Sequence, residues 1–309
     1  MRSLGTTDLM VFPLVLGTNV FGWTADEQTS FAVLDAYVEA GGNLIDTADV
    51  YPSWATGEST SEIIIGEWLA SRGNRDSVVI ATKVGMLQGL EGLAPATIRT
   101  AVENSLRRLR TDYIDLYWAH VDDRDTPLTE SLAAFDALVR EGKVRHVGAS
   151  NYDAGRLTEA LKVSDEEGLV RYVALQQPYN LVERRYEGEL RDVVAREGLG
   201  STPYFGLARG FLTGKYRPGV TVDSPRASLA GEYLNTERGP RTLEALDRIA
   251  EERQVAPAAV ALAWLAAQPT ITAPLAGARN VEQLRPLLTA AALSLTAEEL
   301  TLLDEASRP

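Results

Sequence analysis

The chain has 309 residues, 45% of them hydrophobic, enough to bury a sizeable core in one large domain or two small ones. Its 43 acidic residues outnumber 30 basic ones, giving a net charge of −13 with no long block of either sign, and such a surface repels nucleic-acid backbones. There is no cysteine, which excludes disulfides, iron–sulfur clusters and thiol nucleophiles, and two histidines are too few for a multi-histidine zinc site. Short apolar runs alternate with longer amphipathic segments along the whole chain. The apolar stretch at 9–16 is short, is interrupted by Pro13 and lacks an A-x-A exit, so it reads as a core strand over 14–18 and not as a secretion signal. A helix over 27–40 follows, stopped by Gly41-Gly42. Next come a strand ending at Asp46, a loop holding Pro52, Gly57 and Ser59, and a helix near 61–71. A third strand covers 78–83, and its helix, 96–109, begins after Pro95. Strand 113–120 leads to helix 128–140, strand 144–150 to helix 153–163, and strand 173–177 to a helix near 186–197. A seventh strand is expected at 202–205, then a long Gly/Pro-rich stretch over 214–240, a helix near 241–253, an eighth strand at 270–275 and a helix at 281–288. An appended helix over 297–306 starts after the cap Thr296.

Eight strand–helix units imply a parallel sheet, because parallel neighbours need a crossover. Eight units of this size close into a (β/α)8 TIM barrel. An open doubly wound sheet is the competing geometry, but the first strand is followed by Gly17-Thr18-Asn19-Val20-Phe21-Gly22, which does not match its G-x-G-x-x-G turn. No linker or change of composition divides the chain, so one domain is expected, and the stretch over 214–240 is long enough for a functional lid. No run approaches the roughly 20 apolar residues that a bilayer crossing needs, and the absence of cysteine fits a cytoplasmic protein.

Three strand ends carry chemistry at evenly spaced positions: Asp46, Lys83 and His120, with Tyr51 five residues after the first. In a barrel these ends converge on one mouth. A tyrosine beside a cation can act as a general acid near neutrality, Lys83 can be that cation, and Asp46 can pair with Lys83. His120 can hydrogen-bond a substrate oxygen. Taken singly, each has a structural reading: Asp46 as a cap or strand-end ion pair, Lys83 and Tyr51 at the core edge or surface, His120 as a hydrogen-bonded core histidine. Four complementary groups at equivalent ends of consecutive units point instead to protonation of an oxygen that turns negative as its carbon is attacked.

The chain resembles the aldo-keto reductases, in the branch that includes bacterial members and potassium-channel β subunits. The resemblance is carried by Asp46-Thr47-Ala48-Asp49-Val50-Tyr51, Thr82-Lys83-Val84-Gly85, Asp115-Leu116-Tyr117-Trp118-Ala119-His120 and Gly142-Lys143-Val144-Arg145-His146-Val147-Gly148-Ala149-Ser150-Asn151. It continues through Gln176-Gln177-Pro178-Tyr179-Asn180, Gly210-Phe211-Leu212-Thr213-Gly214-Lys215-Tyr216 and Gly277-Ala278-Arg279-Asn280-Val281-Glu282-Gln283-Leu284. It implies carbonyl reduction with NADPH and no metal: Tyr51 as proton donor, Lys83 lowering its pKa, Asp46 paired with Lys83, and His120 orienting the carbonyl. It sets the cofactor's carboxamide against Ser150, Asn151 and Gln176, its nicotinamide on Tyr204, and adds contacts from Thr18, Asn19 and Asp46. The pyrophosphate would meet Phe205, Gly206, Leu207 and Ala208, where the family often has Ser-Pro in place of Phe205-Gly206. Lys215 and Arg226 match clamping positions, while Arg209 is either a further cation of the grip or a solvated one. Arg279, after Gly277 and Ala278, matches the 2′-phosphate contact and Gln283 an adenosine contact, with Pro286-Leu287 standing where the family has Glu-Asn. Phe21, Trp23, Trp54 and Trp118 are expected near the substrate, although packing explains Trp118 equally well. A small-molecule carbonyl substrate is the leading reading, with no nucleic-acid or membrane partner. A nucleotide-sugar ketoreductase and an NADPH-binding regulatory subunit are the alternatives, and the oligomeric state is not legible.

Overall fold

Eight short, almost wholly buried strands run parallel around a common axis: β1 (Val15–Gly17), β2 (Leu44–Asp46), β3 (Val79–Val84), β4 (Ile114–Ala119), β5 (Val144–Ser150), β6 (Tyr172–Gln176), β7 (Gly200–Ser201) and β8 (Leu275–Ala276). They form one sheet in the order β7-β6-β5-β4-β3-β2-β1-β8 in the computed structural model, which describes residues 1–223 and 227–308. The sheet closes on itself where Ser201 bridges Ile271 and the Thr272 N–H donates to the Ser201 carbonyl at 2.9 Å. The crossovers are helices α1 (Glu27–Glu39), α2 (Thr60–Arg72), α3 (Pro95–Leu109), α4 (Leu128–Arg140), α5 (Ala154–Glu167) and α6 (Glu189–Arg196). A pair, α7 (Arg238–Arg253) and α8 (Pro257–Ala266), joins β7 to β8, and α9 (Val281–Ala292) and α10 (Ala297–Ala306) complete the ring. The fold is a (β/α)8 barrel, as the alternation of units predicts.

Local signals set the helix starts. Asp26, Asp153 and Asn280 accept the N–H of Thr29, Arg156 and Gln283 at 2.7–2.9 Å, and Thr296 and Glu299 form a reciprocal capping box. Pro95 and Pro257 occupy the first turn, where a missing N–H costs nothing.

The core has two parts, split by the period-2 alternation of the strands. One face packs against the helices, through Ile45, Ile80, Tyr117 and Val147 among others. The opposite face fills the barrel with Val15, Leu44, Val79, Ala81, Leu116 and Trp118. Leu4, Leu9 and Val11 join this inner cluster from a small hairpin of Arg2–Ser3 and Met10–Val11. Asn43, the residue before β2, ties the hairpin down by donating to Met10 O at 2.8 Å and accepting from Phe12 N at 2.9 Å. The hairpin therefore plugs the end of the barrel where the strands begin.

Three expectations shift. The seventh and eighth strands lie at Gly200–Ser201 and Leu275–Ala276 instead of 202–205 and 270–275, because Pro203 and Pro274 lack the N–H that a ladder needs. Tyr204 still pairs across, donating its N–H to Gln177 O at 3.0 Å. Helix α8 was absent from the expected elements; it is apolar on all sides, buried from Ala258 to Leu265, and shows no amphipathic period to detect. The stretch over 214–240 is not one loop, since it holds helical turns at Ala227–Gly231 and Glu232–Asn235 and the first residues of α7. Among the described residues no helix is long and apolar enough to cross a membrane.

Candidate active site

The inner face of the barrel is apolar through its lower layers and changes character at its last one. Along β2 the inward side chains are Leu44 then Asp46, along β3 Val79, Ala81 then Lys83, and after Leu116 and Trp118 of β4 comes His120. Parallel register aligns these ends, with Asp46 opposite Ala81 and Lys83 opposite Trp118. Lys83 is fully buried and donates to the Asp46 carboxylate and, at 2.5 Å, to the Thr47 carbonyl. The second Asp46 oxygen accepts from Gln176 Nε2 at 3.1 Å. The strand end itself is fixed by a hydroxyl chain: Ser61 donates to Thr18 Oγ1 at 2.8 Å, and Thr18 donates to the Asp46 carbonyl at 2.9 Å.

Tyr51 comes in from the loop after β2. The Lys83 ammonium lies 4.8 Å from its ring centroid, and the His120 ring meets it edge-on at 5.9 Å. The sequence-predicted quartet of Asp46, Tyr51, Lys83 and His120 is thus one cluster. Burial alone would draw the Lys83 proton off, but Asp46 and Tyr51 outweigh it and hold the ammonium pKa above the ordinary lysine value. Burial also pushes the Tyr51 phenol up while Lys83 pulls it down, and the net direction is upward. Lys83 therefore acts on the phenol in the direction expected of it, downward, and it is burial that carries the net value above the usual one. Burial, then the Lys83 charge, keeps His120 well below the usual histidine range, so the ring is neutral.

Asp49, between Asp46 and Tyr51, is a feature the sequence reading did not single out. It is buried, neither carboxylate oxygen has a hydrogen-bond partner, and burial followed by the Glu62 charge pushes its pKa well above the usual carboxylate value. Glu62 itself is held by Arg108 at 2.6 Å and by the Thr82 hydroxyl at 2.5 Å.

A groove of about 830 Å³ opens at this cluster. Strand ends and the loops after them give it Thr18, Asn19, Asp46, Ser150, Asn151 and Gln176. Asn151 has left-handed backbone (φ 63°), and its amide donates to the His120 carbonyl at 2.9 Å while its oxygen accepts from the Tyr204 hydroxyl at 2.7 Å. After β7 come Tyr204, Phe205, Gly206 and Leu207, then Arg209 and Lys215. Arg209 stacks over Phe205 at 4.8 Å and donates to the Tyr233 hydroxyl at 3.3 Å, which donates on to Glu183 at 3.0 Å. Phe205, Ala208 and Arg209 all have left-handed backbone, an uncommon conformation for residues with a side chain. After β8 the groove is bounded by Gly277, Arg279 and Gln283.

Some expected residues lie elsewhere. Ala208 and Ala278 are buried behind the groove wall. Phe21 sits in the core between barrel and helices, and Trp118 fills the inner barrel, its ring within 2.4 Å of where a Cβ on Gly148 would stand. Trp23 and Trp54 do line the groove mouth, edge-on to each other at 6.2 Å. Arg226 lies outside the described residues. Pro286 and Leu287, standing where the family has Glu-Asn, line the groove as well, and so do Met86, Leu229 and Glu282, which were not expected there. The i, i+3, i+4 spacing of 279, 282, 283, 286 and 287 was the available signal for Glu282, while Met86, in a two-residue strand, offered none.

Comparison with known proteins follows the same outline. The model of the aldo/keto reductase family matches residues 13–308. The chain is 37% identical to the oxidoreductase YrpG of Bacillus subtilis, over 98% of this chain and 94% of that one. It is 36% identical to norsolorinic acid reductase of Emericella nidulans, with 94% and 77% covered, and 31% identical to an aryl-alcohol dehydrogenase (NADP(+)) of Phanerodontia chrysosporium, with 96% and 83% covered.

Proposed function

The chain belongs to the aldo/keto reductase family of oxidoreductases, which use nicotinamide cofactors, and from that premise we propose an NADPH-dependent reductase of aldehydes or ketones with Tyr51 as proton donor. The observation that carries this reading is a close phenol–ammonium–carboxylate–imidazole cluster at one end of a groove whose other stretches carry Arg209, Lys215 and Arg279. In a protein of net charge −13, gathered cations suit a polyphosphate ligand. Bound there, the cofactor would supply hydride to the carbonyl carbon. Ser150, Asn151 and Gln176 would hold its carboxamide, Tyr204 its ring, the turn over 205–208 its diphosphate with Lys215 and Arg226, and Arg279 and Gln283 its adenosine end.

The Tyr51 phenol, protonated through the neutral range, passes its proton to the carbonyl oxygen. Lys83 stabilises the phenolate that remains, Asp46 keeps Lys83 charged, and neutral His120 orients the carbonyl by a hydrogen bond. Trp23, Trp54 and Met86 give the mouth an aromatic and thioether rim, which supports a flat apolar carbonyl compound over a nucleotide sugar. The names of two relatives, an aryl-alcohol dehydrogenase and a norsolorinic acid reductase, lend the same support, and the former's NADP(+) supports the cofactor.

The test is a panel of carbonyl compounds followed by loss of NADPH absorbance. Tyr51→Phe is expected to lower turnover on the order of 10²- to 10⁴-fold with unchanged cofactor affinity; full turnover would remove Tyr51 from its role. Arg279→Ala is expected to weaken NADP(+) binding and spare NAD(+), and equal loss of both would count against a 2′-phosphate contact. Slow turnover of every carbonyl despite tight NADPH binding would favour a regulatory subunit.

A further inference from the structure

Resting on the reading of Tyr51 as proton donor, we propose that Asp49 is a positioning residue of the reduction, an uncharged acid that leaves the Lys83 ammonium to the Tyr51 phenolate. When Asp49 loses its proton, donation by Tyr51 fails, so the alkaline limit of turnover belongs to this carboxyl.

The loop from Asp46 to Tyr51 is fastened to β3. Thr47 donates its N–H to Ala81 O at 2.8 Å and Asp49 donates its own to Lys83 O at 3.3 Å, while the Ser59 hydroxyl donates to the Asp49 carbonyl. The Asp49 side chain is thereby fixed in a fully buried place, and neither of its oxygens meets a donor. Around it stand Glu62 of α2, Arg108 of α3, Lys83 of β3 and, from β4, Tyr117, whose buried hydroxyl also lacks a partner. The two cations are already engaged. Lys83 is held by Asp46 and the Thr47 carbonyl, and Arg108 donates to Glu62, which also takes the Thr82 hydroxyl. Two opposite pairs balance, so a charge on Asp49 would be a fifth, with neither a spare cation nor water to meet it. Burial of that kind favours the neutral acid.

Proton donation by Tyr51 breaks its O–H bond, forms the O–H of the product alcohol and leaves a phenolate beside Lys83. Burial opposes that anion and Lys83 favours it, whereas the charges of Asp46 and Asp49 both oppose it. Asp46 is needed to keep Lys83 protonated. Asp49 adds nothing to the opposition while it keeps its proton, and it gives up no proton in the step.

The test is kcat/KM for a reducible carbonyl at saturating NADPH, measured across the neutral and alkaline range on wild type and Asp49→Asn. The wild type is expected to fall along an alkaline limb, losing about tenfold by one pH unit beyond its midpoint. The Asn variant is expected to stay on its own plateau there and to turn down at higher pH, where Tyr51 itself titrates. Superimposable limbs would overturn the proposal, and so would a uniform loss at every pH, the mark of a merely structural role. Infrared titration of the wild type decides the matter even if Asp49→Asn does not fold. A neutral-carboxyl C=O band is expected at neutral pH, fading in step with kcat/KM; its absence, or fading unrelated to the rate, would overturn the proposal as well. No turnover of any carbonyl at any pH would sink the enzyme reading and this inference together, whereas turnover with superimposable limbs sinks this inference alone.

Discussion

Asp49 stands two residues before the proposed proton donor and is sealed from water with no hydrogen bond to either oxygen. Its main chain is well used, donating to Lys83 O at 3.3 Å and accepting from the Ser59 hydroxyl, so the residue is held where its side chain is least comfortable. Burial and the Glu62 charge raise its folded pKa above the unfolded value. Between those two values the unfolded chain has released the proton and the folded chain has not, so this group's contribution to stability declines as pH rises from about 4. Asp49→Asn removes that proton exchange. Urea unfolding at several pH values is expected to show the Asn variant gaining on the wild type by about 1.4 kcal/mol per pH unit inside this window, and a difference independent of pH would contradict it. At this scale the sequence was partly transparent. Asp46, Lys83 and His120 were legible because each ends or follows an apolar run, and the same alternation places Trp118 one layer below His120 and away from the groove. Asp49 was not legible, since a buried carboxylate with no partner has no pattern in the chain.

Helices meet where their side chains allow it, and α2 and α3 meet closely at Gly66. A Cβ there would lie 2.1 Å from the Arg108 carbonyl oxygen and under 3 Å from the Leu109 backbone, so no side-chain motion relieves the clash. Gly66→Ala is expected to lower stability by about 1–3 kcal/mol or more, read as a shift in the urea midpoint. It also strains the Glu62–Arg108 pair, which lies at the same contact. Most amphipathic helices could be read from their period and caps, but α8 could not, because burial on every side erases the stripe that marks a helix. The two shortest strands were misplaced for the opposite reason: the apolar runs were visible, and the prolines beside them decided which residues could pair.

Closing a barrel leaves two ends to be sealed, and in this molecule one is sealed by sequence far from the chemistry. Leu4 is fully buried in the inner cluster with Val15, Leu116 and Trp118. Leu4→Ala is expected to cost about 2–5 kcal/mol across a single unfolding transition while leaving cofactor affinity unchanged, because the plug lies at the end of the barrel where the strands begin. Intact affinity with lost stability would separate scaffold from site; loss of both would show that the ends communicate. Eight alternating units made the barrel legible, whereas the plug was not, because two-residue strands carry no period. The tie from Arg209 through the Tyr233 hydroxyl to Glu183 has a consequence of another kind. Arg209 borders the groove and Tyr233 belongs to the long crossing between β7 and α7, so any anion that draws the guanidinium toward itself competes with the crossing for the same hand. Occupancy and the fastening of that crossing are two readings of a single equilibrium, and whatever stiffens one must, by reciprocity, alter the grip of the other.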